Sequence, residues 1–486
     1  MAKHQELFTL IKSLSRNEKR YFKLYCGSMG DGSNYLRLFN SIDKQAQYNG
    51  ASLKREFAGE TFAKQLHTTK NYLRVLILKS LRDFHAGISK NAELKDLLRN
   101  VEILFNKELF DLCKSELSRA EKLAAEYELN AGMFEVLEWK RRIEQQAHPN
   151  SFELFESTLV RQQQAIEALF TTNRYWQLTN NLTARLSAGK TPDSPYDNLL
   201  NDASNARTIE EKVLHYNSLY FKHLVAGKPS DAEASLFTLL ALLEENPKHL
   251  QHNMSLYASS ANNLISFLVF MKKYDAALQL IARAKANYQQ WKLVSENKTL
   301  LKQLLRTYNI ELEIYRDGKN YTAQKDYLEN IDAFIIENEG KMPPEYLLSF
   351  SFQLAYINFM RKDYSRALYW VNRVLNNRFE GQRSDLQIQV RLLNLMIHFE
   401  QQNIFVLRHF VDSTKRYVNK VAVIQPHELT LLKFFSKIGQ AFPNQYKALF
   451  ADLYSQLFPA NTDAETPSTV LEFIDYKTWI EEKTAS

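Results

Sequence analysis

The chain has 486 residues, 24% of them charged and 45% hydrophobic. This is ordinary globular usage, and it excludes disordered, collagen-like and silk-like classes. The net charge is +7, and it is uneven. Residues 1–90 carry 16 Lys+Arg against 7 Asp+Glu, a balance of +9, whereas the remainder carries 46 against 48, a balance of −2.

The length is about three times the ~150 residues of a typical domain, which fits two or three domains or one elongated repeat protein. With 13 glycines and 11 prolines, the chain is poor in the residues that sheet proteins need at their turns, so long helices joined by short loops are expected. Two cysteines, Cys26 and Cys113, exclude a disulfide scaffold and a cysteine-based zinc site. The N-terminus is an amphipathic pattern broken by charges, not a secretory signal. The longest apolar stretch, Leu236 to Leu243, is ended by Glu244 and Glu245, far short of the ~20 residues that span a bilayer. A soluble, cytoplasmic protein without membrane contact is expected.

In chain order, residues 1–90 read as a distinct basic helical segment, with helices at 3–13, 16–26, 33–47 and 68–86 and one or two short ones across 51–66. Ser15-Arg16-Asn17-Glu18 is a capping box that starts the second helix. Residues 91–420 read as a long run of helices with apolar residues at i, i+3, i+4 and i+7. Gly87, Gly189, Gly340 and Gly381 read as helix stops. Residues 421–486 continue as helices, and the last, VLEFIDYKTWIEEK, places Phe473, Tyr476, Trp479 and Ile480 on one face suited to docking back as a cap.

Two segments of the long run repeat one pattern. In Asn262–Ala284 and Leu354–Leu375 an apolar helix ends at a Lys/Asp turn, and an aromatic follows. A small residue comes three positions later and an apolar one seven positions later: Tyr274, Ala277 and Ile281 in the first, Tyr364, Ala367 and Val371 in the second. This pattern resembles the tetratricopeptide repeat. Weaker copies align on Phe110, Tyr175, Asp231-Ala232, Tyr321 and Ile404. From Ala232 onward the anchors are 42, 47, 43 and 40 residues apart, longer than the family's 34. The layout is also similar to that of bacterial tetratricopeptide-like proteins with a separate helical N-terminal segment.

The resemblance implies an all-α fold: a superhelical stack of antiparallel helix pairs, a degenerate α-solenoid, with a distinct helical N-terminal segment. It also implies a non-enzymatic scaffold or adaptor that binds a protein or peptide partner in its groove. Asn262, Ser266, Phe352 and Tyr356 occupy positions that often face the ligand in that family. The family's carboxylate-binding Lys/Asn set is not reproduced.

Motifs for chemistry are sparse. Ala184-Arg-Leu-Ser-Ala-Gly189-Lys190-Thr191 has the spacing of a permissive phosphate loop, but a helical pattern precedes it and Pro192 and Pro195 follow, so Gly189 reads as a helix C-cap. The glycines at 27, 30 and 32 follow no strand. His215 and His223 are eight residues apart and His249 and His252 three, without a third ligand. Cys26 and Cys113 fit buried helix positions. No cofactor, metal or catalytic residue is expected. Arg16, Lys19, Arg20 and Lys23 fall within about 100° on one helix face, so a nucleic-acid-linked regulator, with the repeats as sensor or dimerising arm, is the alternative. The helix at 68–86 opens with His67-Thr68-Thr69-Lys70-Asn71, but its Tyr72–Leu78 run suits a buried central helix.

Overall fold

Local hydrogen bonding starts and stops the helices as the side chains dictate. The Glu18 amide donates to Ser15 Oγ at 3.2 Å, and the Glu18 carboxylate accepts from the Ser15 amide at 2.6 Å, the reciprocal pair of a capping box. Asn49 caps the helix after it by a single bond, accepting from the Ser52 amide at 2.9 Å. A computed structural model describes residues 5–27, 32–87, 89–147, 152–188, 194–252, 254–290, 298–319, 325–377, 379, 383–420, 424–459 and 473–485. The regular structure among the described residues is α-helix and short 3-10 turns, without a strand. None of the described helices is long and apolar enough to cross a membrane.

The chain divides into two compact units, Met1–Tyr257 and Ala258–Ser486. The first unit opens with α1 (Glu6–Ser13), α2 (Arg16–Gly27), α3 (Gly32–Lys44), α4 (Gly50–Glu56) and α5 (Leu66–Phe84). These enclose a core of their own that includes Ile11, Phe22, Leu38, Phe39, Leu53, Leu73 and Ile77. The second core begins with α6 (Lys90–Phe105) and α7 (Phe110–Glu126), packed as a hairpin around Leu94, Val101, Cys113 and Ala120. Then follow α8 (Asn130–Ala147), α9 (Phe152–Ala188), α10 (Ile209–Val225), α11 (Pro229–Glu245) and α12 (Pro247–His252), with α7 to α11 each packed on the next. Tyr175, expected to open a second helix, lies in the middle of α9 and is fully buried. No Gly or Pro interrupts residues 152–188, so nothing breaks the helix there.

The division falls inside α13 (Met254–Phe270). The second unit continues through α14 (Tyr274–Gln290), α15 (Lys298–Asp317), α16 (Lys325–Asn338), α17 (Pro344–Met360), α18 (Tyr364–Asn376), α19 (Ser384–Glu400), α20 (Ile404–Val418), α21 (Pro426–Ile438), α22 (Tyr446–Leu457) and α23 (Tyr476–Ala485). Packing here is of two kinds. Each of α17 to α22 packs against the next in sequence, and α15, α17, α19 and α21 also pack one on another. These alternate members, the first helices of successive pairs, form one continuous layer.

The anchors Phe110, Tyr274, Tyr364 and Ile404 are each the first residue of the second helix in a pair. The turn before each is the same. The residue two before the anchor has positive φ: Glu108 at 58°, Lys272 at 57°, Lys362 at 63° and Gln402 at 59°. The next amide reaches back five residues, as from Lys273 to the Leu268 carbonyl and from Asp363 to the Asn358 carbonyl, at 2.9 and 3.0 Å. This is the Schellman turn, in which a left-handed residue satisfies the last free carbonyls of a helix. Tyr321 lies outside the described residues, as do Gly189 and Gly381.

Ala277 and Ala367 are fully buried three residues into α14 and α18. Replacing either with Leu should overpack its helix pair and destabilise the protein by about 1–3 kcal/mol. Thermal unfolding of both variants checks this; parental melting in both would show that these sites are not close contacts.

Candidate functional site

A helix that is apolar around its whole circumference must be covered on every side. Residues 350–359 of α17 are all buried, and so are residues 386–390 and 392–398 of α19. Neighbouring first and second helices cover part of that surface. The remainder is closed by the C-terminal segment, residues 473–485.

This segment lies across α17, α19, α21 and α22. Phe473 sets its ring edge against Phe352, with centroids 6.1 Å apart. The Asp475 amide donates to the Tyr356 hydroxyl at 3.1 Å. Tyr476 is fully buried, and its hydroxyl donates to Gln389 Oε1 at 2.7 Å. Trp479 donates from Nε1 to Glu400 at 2.7 Å, stacks on Phe435 at 6.0 Å and meets Phe450 edge-on at 5.1 Å. Lys483 reaches the second Glu400 oxygen at 2.8 Å. Asp475 also binds Lys319 at 2.7 Å and caps α23 by accepting from the Thr478 amide at 3.0 Å. Burial pushes its carboxyl up, but the Lys319 and Thr478 donors outweigh this and hold it below the usual carboxylate range.

The docking face expected from Phe473, Tyr476, Trp479 and Ile480 is therefore present. The helix itself starts later than expected, at Tyr476, because the Asp475 cap fixes its first turn there; residues 470–472 lie outside the described residues.

Polar side chains form rungs between successive first helices. Asn262 of α13 donates to the Gln303 carbonyl and accepts from Thr307 Oγ1 of α15, both at 2.8 Å. Asn309 of α15 accepts from Ser349 and Gln353 of α17 at 2.7 and 2.8 Å. Gln389 of α19 donates to Glu428 of α21 at 2.8 Å. Glu428 also accepts from the Gln425 amide at 2.9 Å. Burial pushes its carboxyl above the usual range, against the pull of the Gln425 and Gln389 bonds.

The four expected ligand positions are thus packing positions in this structure. Asn262, Phe352 and Tyr356 are buried, and Asn262 is a rung rather than a free surface group. Ser266 is half-buried, donates to the Asn262 carbonyl at 2.7 Å and accepts from Arg306 at 3.1 Å. Phe352 and Tyr356 do lie on the layer of first helices, but the chain's own segment covers them. Gln389, Glu400 and Glu428, which with Phe435 also line that layer, carry one signal in the sequence: polar residues interrupting strongly apolar helices.

Of the basic helix, Arg16, Arg20 and Lys23 are exposed. Lys19 is half-buried and bound to Asp43 at 2.7 Å. Ala184 to Ala188 close α9, and Gly189 to Thr191 lie outside the described residues. His215 is buried and its proton affinity lowered, mainly by desolvation. Both cysteines are buried, and burial pushes the Cys26 thiol up to about 11. Among the described residues no group of three His, Cys, Asp or Glu side chains could hold a metal ion. Compared with protein-family models, curated proteins and solved structures, the sequence matches none.

The Glu428 shift has a testable sign. A carboxyl whose value is raised by folding binds its proton more tightly in the native state, so its stabilising contribution is present at low pH and lost as pH rises through the native value. Glu428→Gln removes that term. The stability of the parent relative to this variant should rise as pH falls from about 7 to about 4.3, the ordinary Glu value. Paired unfolding curves at the two pH values check it, and a constant difference would contradict the assignment.

Proposed function

We propose that the chain is a non-enzymatic cytoplasmic adaptor whose second unit is a tetratricopeptide-like superhelix that holds a partner segment on its layer of first helices. One observation carries this reading: residues 473–485 already sit on that layer through the bonds a separate peptide would make. Aromatic anchors enter between the helices, a backbone amide meets the Tyr356 hydroxyl, and side chains meet Gln389 and Glu400. Such a mixture of buried aromatic anchors and a few directed polar bonds is how grooves bind amphipathic helices. The partner is a protein segment with an aromatic pair three residues apart, as in Tyr476 and Trp479, preceded by an acidic cap.

Weakening the resident segment tests this. In the full-length Trp479→Ala variant, a labelled peptide with the sequence of residues 473–485 should bind saturably by fluorescence anisotropy. The parent chain should resist it, and a peptide with Ala at both aromatic positions should fail. Absence of uptake by a folded variant would contradict the reading.

A further inference from the structure

The first unit carries a surface that the groove does not use. Its centre is α5, whose Tyr72–Leu78 run is only half buried. Leu73, Leu76 and Ile77 face the core, whereas Tyr72, Val75 and Leu78 are 49, 42 and 43% exposed. The expectation of a buried central helix thus holds for one face of the run and not for the other. The exposed face also carries Thr68 and Asn71 in the first turns, then Arg74, then Lys79 and Arg82, all within an arc of roughly 140° at 100° per residue.

The charge around it is predominantly positive. Most described carboxylates of α1 to α5 and their loops are engaged within the bundle: Glu18 by His85 at 2.7 Å, Asp43 by Lys19 at 2.7 Å, Glu56 by Ser41 at 2.5 Å and Glu60 by Arg37 at 2.7 Å. Glu6 is ion-paired with Arg74 at 3.9 Å, a contact that a duplex would have to displace, and Asp83 is exposed. Among the described residues no carboxylate is ion-paired with Arg16, Arg20, Lys79 or Arg82. The His85–Glu18 contact, with Tyr21 against Phe84 at 5.2 Å, seats the first turns of α2, which carry Arg16 and Arg20, beside the end of α5 that carries Arg82.

Those residue types in that order suit one ligand chemistry. Asn pairs bidentately with adenine, Arg with guanine, and an aliphatic group with the thymine methyl, all in the major groove, which admits an α-helix. Cations further along the helix and on its neighbour meet phosphates, which position the protein without reading sequence. The 19 residues of α5 extend about 28 Å, enough to lie across the groove. The deep, narrow major groove of A-form RNA excludes side chains.

We propose that α5 binds duplex DNA in the major groove, with Asn71, Arg74 and Val75 at base edges and Arg16, Arg20, Lys79 and Arg82 on phosphates. Selectivity for base sequence then resides at the start of α5, and salt-dependent affinity in the four cations.

The test uses the full chain and a fluorescein-labelled mixed-sequence duplex in anisotropy titrations from about 50 to about 200 mM salt. Affinity should fall linearly on a log–log plot. Replacing Arg16, Arg20, Lys79 and Arg82 with Gln, in a variant whose circular dichroism matches the parent, should flatten the slope by up to about 3.6, at 0.9 per phosphate contact. Selection from a random-duplex pool should enrich a sequence with the parent and lose that enrichment with Asn71→Ala/Arg74→Ala. No binding at the lowest salt overturns the proposal. So does an unchanged slope in the four-Gln variant, enrichment that survives the α5 changes, or displacement of the duplex by polyglutamate at equal charge, which would mark an acidic-protein surface instead.

Discussion

Helices α17 and α19 are buried around nearly their full circumference, and the second unit is organised by the need to cover them. An amphipathic helix needs a neighbour on one side only; these two need neighbours on all sides. Sequential partners supply some of that cover, α18 and α20 among them, and the layer of first helices supplies more. What remains is a strip lined by Phe352, Tyr356, Gln389, Phe399 and Phe435. Bare, it would expose a contiguous aromatic surface of the kind that monomeric proteins seldom leave open. Residues 473–485 close it.

The polar rungs answer a different need. An apolar layer alone would let one helix slide on the next with little penalty. Asn262 with Thr307, Asn309 with Gln353, and Gln389 with Glu428 each give one register in which the bonded donors and acceptors meet, although Gln353 Oε1 is left without a partner. A shifted register leaves them unmatched in a low-dielectric interior, where the penalty is greatest. Tyr476 adds itself to the last rung through Gln389, so the seated segment is recognised by the same network that aligns the helices.

How much of this was legible in the sequence depends on whether the signal was local. The Ser15–Glu18 capping box, and the turns that precede Tyr274 and Tyr364, are made by residues within six positions of one another, and they read correctly. The long α9 does not read so, because the aromatic at Tyr175 resembles a repeat anchor although no breaking residue interrupts the helix. Asn262, Phe352 and Tyr356 lie buried, which the local pattern does not reveal, because the face a neighbouring helix takes is set by packing between residues more than 40 apart. The basic side chains of α2 were visible as a face, but not that Asp43 would engage Lys19. In α5, composition alone suggested burial; only the fold separates Leu73, Leu76 and Ile77 from Tyr72, Val75 and Leu78.

The central claim is that residues 473–485 occupy the layer of first helices as a ligand does, seated but separable. Native-state hydrogen exchange measures this directly, because it resolves the free energy at which each segment opens. The account predicts that the amides of α23 are protected, but open at a lower free energy than those of α17 and α19, without unfolding either. Exchange of α23 only together with α17 and α19, or no protection of α23 at all, would contradict it.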